Sequence, residues 1–150
     1  MKHSQTLKLL AILGLSAFMH VQTASAHCQI PCGIYGDDAR FTSMLEDVDT
    51  LRKSVDEINK LSAQEDPNYN QLVRWVMNKE THADYISKDV HEYFLAQRIK
   101  EGEDKYEEKL VALHRIIVLS MQVKQTTSLE KVDALETAIR TFHDLYHHDH

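Results

Sequence analysis

From residue 37 to residue 146 the chain repeats apolar side chains every three or four positions and almost never interrupts them. Its prolines are Pro31 and Pro67, and Gly102 is the one glycine beyond position 36. Recurrence at i, i+3, i+4 and i+7 builds one face of a helix, whereas a half-buried strand needs strict alternation, and no alternating run persists here. The chain is thereby confined to an all-α fold.

Four helices are expected. The first runs from about Asp37 to Leu61, with Asp37 and Asp38 supplying a cap and early negative charge. Its stripe is Phe41, Met44, Leu45, Val48, Leu51, Val55, Ile58 and Leu61. "SAQEDPN" breaks it. The second starts at Asp66-Pro67, a cap followed by a first-turn proline, and reaches Gly102, with a bend allowed by its length. Its apolar line is Leu72, Val76, Ala83, Ile86, Val90, Tyr93 and Phe94. The third runs from about Glu103 to Lys124 through Tyr106, Leu110, Leu113, Ile117 and Met121. The fourth opens on the capping box Thr127-Ser128-Leu129-Glu130 and continues through Val132, Leu135, Ile139, Phe142 and Tyr146. Four amphipathic helices on short connections close one core as an antiparallel up-and-down four-helix bundle. Such bundles carry many activities, so function must come from elsewhere in the chain.

Residues 1–26 read as a leader rather than part of the fold. Lys2 and Lys8 form a basic start, and the eleven residues Leu9 to Met19 form an apolar run too short to span a bilayer. Ala24-Ser25-Ala26 has the small residues of a cleavage site. The expected organisation is a leader over 1–26, a hook over 27–36 and the bundle over 37–150. Cleavage removes two lysines and no acid, taking the net charge from −6 to −8. A chain of that charge, without a basic stripe, is a poor partner for nucleic acid or an anionic membrane. The expected location is export, in the periplasm of a bacterium; the alternative is the cytoplasm, with the leader removed by a dedicated peptidase.

Both cysteines, Cys28 and Cys32, stand within six residues of that cut. A disulfide between them would close a very short loop and constrain little of the unfolded chain. Cleavage after Ala26 instead gives His27 a free α-amine, whose pKa is far below that of a lysine. The amine and the Cys28 amide nitrogen close one five-membered chelate ring, and the Cys28 amide and thiolate close another. Cys32 returns through Pro31 with a second thiolate, and the His27 imidazole can approach from above. A planar set of two nitrogens and two sulfurs suits Ni(II) or Cu(II), whereas zinc prefers a tetrahedron. Strong anionic donors also make a higher oxidation state reachable, so the set points to one-electron redox chemistry.

"HCQIPCGIY", beginning at His27, resembles the nickel hook of the nickel superoxide dismutases, His-Cys-x-x-Pro-Cys-Gly-x-Tyr, at all six fixed positions: His27, Cys28, Pro31, Cys32, Gly33 and Tyr35. "LVRWVMNKETHADYI", residues 72–86, resembles the family's second helix more loosely. The resemblance implies disproportionation of superoxide to dioxygen and hydrogen peroxide through a Ni(II)/Ni(III) couple. It implies one nickel ion per subunit, held by the His27 amine and imidazole, the Cys28 amide and sulfur, and the Cys32 sulfur. It further implies a hook shaped by Pro31 and Gly33, with Tyr35 over the open face as part of the catalytic set. A leader peptidase and a hexamer of bundles follow from it as partners. The family's supporting Glu and Arg align near Thr42 and His82, so Thr42, Glu80 and His82 are the candidates for supporting His27.

Two other readings use the same residues. An exported nickel or copper carrier would hold metal on the hook without turnover. A structural bundle would use the cysteines as a disulfide. Glu80, His82 and His114 do not form the repeated Glu-x-x-His pattern of di-iron bundles. Acidic runs such as Glu46, Asp47 and Asp49 read as solvated faces. Trp75, Tyr93 and Phe94 read as core or subunit contacts, and "HHDH" at 147–150 as a solvated end with weak metal affinity at most.

Overall fold

The computed structural model describes residues 36–147. The leader, the cut after Ala26, the hook residues His27, Cys28, Cys32 and Tyr35, and the tail residues His148, Asp149 and His150 lie outside the described residues. Within them are α1 (Asp38–Ser62), α2 (Tyr69–Lys88) running directly into a π-helical segment (Asp89–Arg98), α3 (Tyr106–Lys124) and α4 (Leu129–His147). Each helix packs on its neighbour in the chain, and α1 packs on α4 to close the ring. This is the expected four-helix bundle, with no strand among the described residues.

The core is assembled from the stripes. Phe41, Met44, Val48, Leu51, Val55 and Ile58 of α1 are buried, as are Val132, Leu135, Ile139, Phe142 and Tyr146 of α4. Phe41, Phe94 and Phe142 meet at the end where α1 begins and α4 finishes, with ring centroids 4.9 to 5.5 Å apart. Each such buried side chain contributes about 1.5–3 kcal/mol.

α3 departs from the expected stripe. Leu113, Ile116, Leu119 and Val123 are buried, while Met121 is exposed and Leu110 and Ile117 pack only partly. The run "LVALHRIIVLSMQV" is apolar on nearly every side, so its periodicity admits several faces and packing chooses among them.

α2 departs in three ways. Its cap is Asn68, whose side chain accepts from the Gln71 N–H at 3.2 Å, so Pro67 precedes the helix instead of opening it. Val76 is exposed and Leu72 only half-buried, because the first half of α2 leaves the core. Lys79 is buried in that half, and its ammonium donates to the carbonyls of Val123 at 2.9 Å and Thr126 at 3.3 Å, and to that of Lys124. A cation thus satisfies the open carbonyls at the end of α3. Trp75 is half-buried beneath Lys53. The helix ends at Arg98, before Gly102, and α3 starts only at Tyr106 after left-handed turns at Gly102 (φ 84°) and Lys105 (φ 50°). α4 starts at Leu129, one residue beyond what a box capped by Thr127 requires, and Thr126 Oγ1 accepts from the Ser128 N–H.

Candidate functional site

The chain enters the bundle at Gly36, whose φ of 81° makes a left-handed turn that a side chain would strain. Asp37 follows. The expected role of its side chain as a helix cap is not what the structure shows: it makes no cap hydrogen bond. Its carboxylate accepts from the Tyr146 hydroxyl at 2.6 Å and from the Tyr93 hydroxyl, and pairs with Arg98 Nε at 3.0 Å. Three elements therefore converge on the residue that joins the hook to the bundle. Burial pushes the Asp37 carboxyl up, but the Tyr146 and Tyr93 hydroxyls and Arg98 outweigh it and hold the group below its ordinary value. Burial and the Asp37 charge push both phenols up, so they stay protonated donors.

The π segment makes this convergence geometric. Its bonds span five residues, as in the Ile99 N–H to Phe94 carbonyl contact at 3.0 Å. A five-residue turn stacks Arg98 on Tyr93: Arg98 Nη2 donates to the Tyr93 hydroxyl at 2.9 Å, and the guanidinium lies 4.8 Å from the ring centroid. Arg40 approaches the same ring at 5.7 Å and pairs with Asp89 at 3.5 Å. Burial pushes the Asp89 carboxyl up despite Arg40. Arg40 and Arg98 are thus both at the entry end, each beside one carboxylate.

The candidates for supporting His27 are not gathered in one place. His82 Nδ1 lies 2.6 Å from Asp47 on α1 and stacks edge-on with Tyr85. Burial pushes Asp47 up, partly countered by His82. Thr42 instead lines a groove with Leu45, Ile139 and His143, against α4. Glu80 pairs with Lys79 at 3.3 Å and Lys124 at 3.5 Å, on the α3 side. So Asp47 and His82 form a unit, and Thr42 and Glu80 belong to other faces. Asp47 is also not part of a solvated acidic face, being 8% exposed.

The sequence model of the family described as nickel-containing superoxide dismutase matches residues 22–150. The chain belongs to that family. Comparisons with curated proteins and with solved structures returned no match. Membership establishes the chain as a superoxide dismutase, an oxidoreductase acting on superoxide, with nickel as its cofactor. No helix among the described residues is long and apolar enough to cross a membrane.

The donor chemistry in the sequence fits that metal. Two thiols and an imidazole within six residues are soft and strong-field donors, the kind that suit nickel better than magnesium. Sequence reasoning missed the Asp37, Tyr93, Tyr146 and Arg98 node. Its signal was present, since two tyrosines end apolar stripes at the same end of the bundle and a buried phenol needs a partner.

Proposed function

We propose that the dismutase works through a hook over residues 27–36, separate from the bundle of 37–150 that carries it, and made competent by cleavage after Ala26. In this reading the His27 amine and imidazole, the Cys28 amide and thiolate and the Cys32 thiolate hold the nickel. A nickel ion held there would supply a Ni(II)/Ni(III) couple for one-electron exchange with superoxide. Two superoxides and two protons give dioxygen and hydrogen peroxide. Tyr35 restricts the open face to small molecules, which protects oxidisable thiolates.

The bundle's part is to hold the root of the hook. Asp37, fixed by Tyr93, Tyr146 and Arg98, anchors the chain two residues after Tyr35. Arg98, Lys100 and Lys109 line a cleft with Asp37 and Tyr146 at this end. Glu103 and Asp104 line it too, so three cations face three carboxylates and the cleft is less acidic than the chain as a whole. The Asp47–His82 pair is the candidate support for the imidazole of His27, with the family's Glu and Arg absent. A hexamer of bundles and export to the periplasm complete the reading; the alternative to export is a cytoplasmic enzyme cut by a dedicated peptidase.

The observation that carries the proposal is the donor set itself, His27, Cys28 and Cys32 at a cleavage site. The test is to express the chain starting at His27, load nickel, and follow superoxide decay together with the electron spin resonance spectrum. Fast decay with a rhombic Ni(III) signal supports it. Tight nickel without turnover would favour a carrier. An uncut chain with equal nickel affinity and activity would remove the role of cleavage.

A further inference from the structure

Asp38, His143 and His147 bring one oxygen and two imidazole nitrogens within 4.8 Å of one another. We propose that they form a second metal site, for a divalent late transition ion with zinc as the best match, distinct from the hook.

The two histidines lie four residues apart on α4, so they share one face of the helix. Their rings are 4.5 Å apart. Asp38 is the first residue of α1 and reaches both: its Oδ1 is 3.4 Å from His143 Nε2 and 2.8 Å from His147 Nε2. Two ligands on a tetrahedral zinc, at bonds of about 2.0–2.2 Å, lie roughly 3.4 Å apart. The trio therefore needs only small side-chain adjustments. His147 Nε2 is shielded from solvent and, although close to Asp38, makes no aligned hydrogen bond.

The chemical class follows from the donors. Two imidazoles and a carboxylate suit zinc, and also Cu(II) or Ni(II) by affinity, but not magnesium or calcium, which favour oxygen alone. Three protein ligands leave a fourth position to water. Phe41 closes the inner side, its ring 4.5 Å from that of His143 and 5.8 Å from that of His147. The nearby cation Arg140 is drawn away by two hydrogen bonds to Glu136. The site joins the first residue of α1 to the last turn of α4, next to Asp37. An ion there would tie the first residue of α1 to the last turn of α4.

The test uses the nickel-loaded chain starting at His27, so that the hook is filled, and titrates zinc by calorimetry with cobalt absorption as a second readout. The expected result is one further zinc equivalent per chain. It is retained in a chain ending at His147 and weakened on the order of tenfold or more in His143→Gln, His147→Gln and Asp38→Asn. Nickel content and the Ni(III) spectrum stay as in the parent. The proposal is overturned if the parent takes up no zinc, if the His143→Gln/His147→Gln double variant binds it equally, or if removing residues 148–150 alone abolishes binding.

Discussion

Replacing Asp37 by Asn tests whether the root of the hook is held by charge. The Asp37 side chain makes no cap hydrogen bond, so Asn removes none and the start of α1 is preserved. The two phenols and Arg98 lose the negative acceptor on which they converge. A hydrogen bond to a charged group contributes about 1.5–3 kcal/mol, and the amide oxygen retains one neutral bond. Asp37 is 26% exposed, so water screens part of the loss. The expected cost is roughly 2–3 kcal/mol, a fall in Tm of about 6–12 °C. Urea denaturation of the chain starting at His27, before nickel loading, isolates this effect from metal binding. The sign with pH is also fixed. The folded Asp37 carboxyl is below its unfolded value, so its stabilisation is complete above that value and fades as pH falls through the lower, folded one. The gap between parent and D37N should therefore close toward acid. A cycle with Tyr146→Phe should give a coupling of about 1 kcal/mol. A D37N chain within about 0.5 kcal/mol of the parent at neutral pH, or additive effects in the cycle, would refute the reasoning.

Cys28→Ser or Cys32→Ser should abolish the Ni(III) spectrum and reduce superoxide decay to the uncatalysed rate, measured on metal-loaded protein, while far-ultraviolet circular dichroism stays unchanged. His82→Ala leaves the buried Asp47 without its partner and should cost about 1–2 kcal/mol in urea denaturation; if Asp47–His82 also supports His27, the Ni(III) spectrum shifts, and an unchanged spectrum and turnover would sink that role. Lys79→Met strips the carbonyls at the end of α3 of their ammonium and should cost about 2–3 kcal/mol, seen as a lower midpoint in thermal unfolding. Above about pH 10 the unfolded phenols ionise. The folded Tyr93 and Tyr146 resist, their pKa values being raised, so their contribution to stability is lost as pH rises through the folded values. Tyr146→Phe should flatten that alkaline decline in a pH series of melts.

The fold was legible because α1 and α4 each carry one clean stripe: the expected residues of α4 are all buried, and those of α1 are buried except Leu45 and Leu61, which are only half-buried. α3 was misread by about a residue of rotation, since an element apolar all round has no unique face until its neighbours are known. The first half of α2 was misread because Lys79 is buried for its charge, which hydropathy counts against burial. The family was legible for a different reason: the motif that resembles its hook is local, held in nine consecutive residues. The Asp37 node joins residues from the chain's two ends and its middle, and no spacing rule links them. Asp37 in particular satisfied a simpler expectation, the helix cap, which concealed its longer reach.

The π segment between Asp89 and Arg98 works as a phase shift. A long uniform helix can aim only one stripe at one partner. By winding more slowly here, the chain lets Ala83, Ile86 and Val90 face the core and still delivers Arg98 above Tyr93. The wider turns have the register of a one-residue insertion. Deleting a single residue between Phe94 and Arg98 would let the segment relax into ordinary helix, with the core upstream in place and the arginine, now four residues after Tyr93, still one turn above it. Urea denaturation of such a shortened protein would show whether the Asp37 node needs the wider turn itself or only an arginine one turn beyond Tyr93.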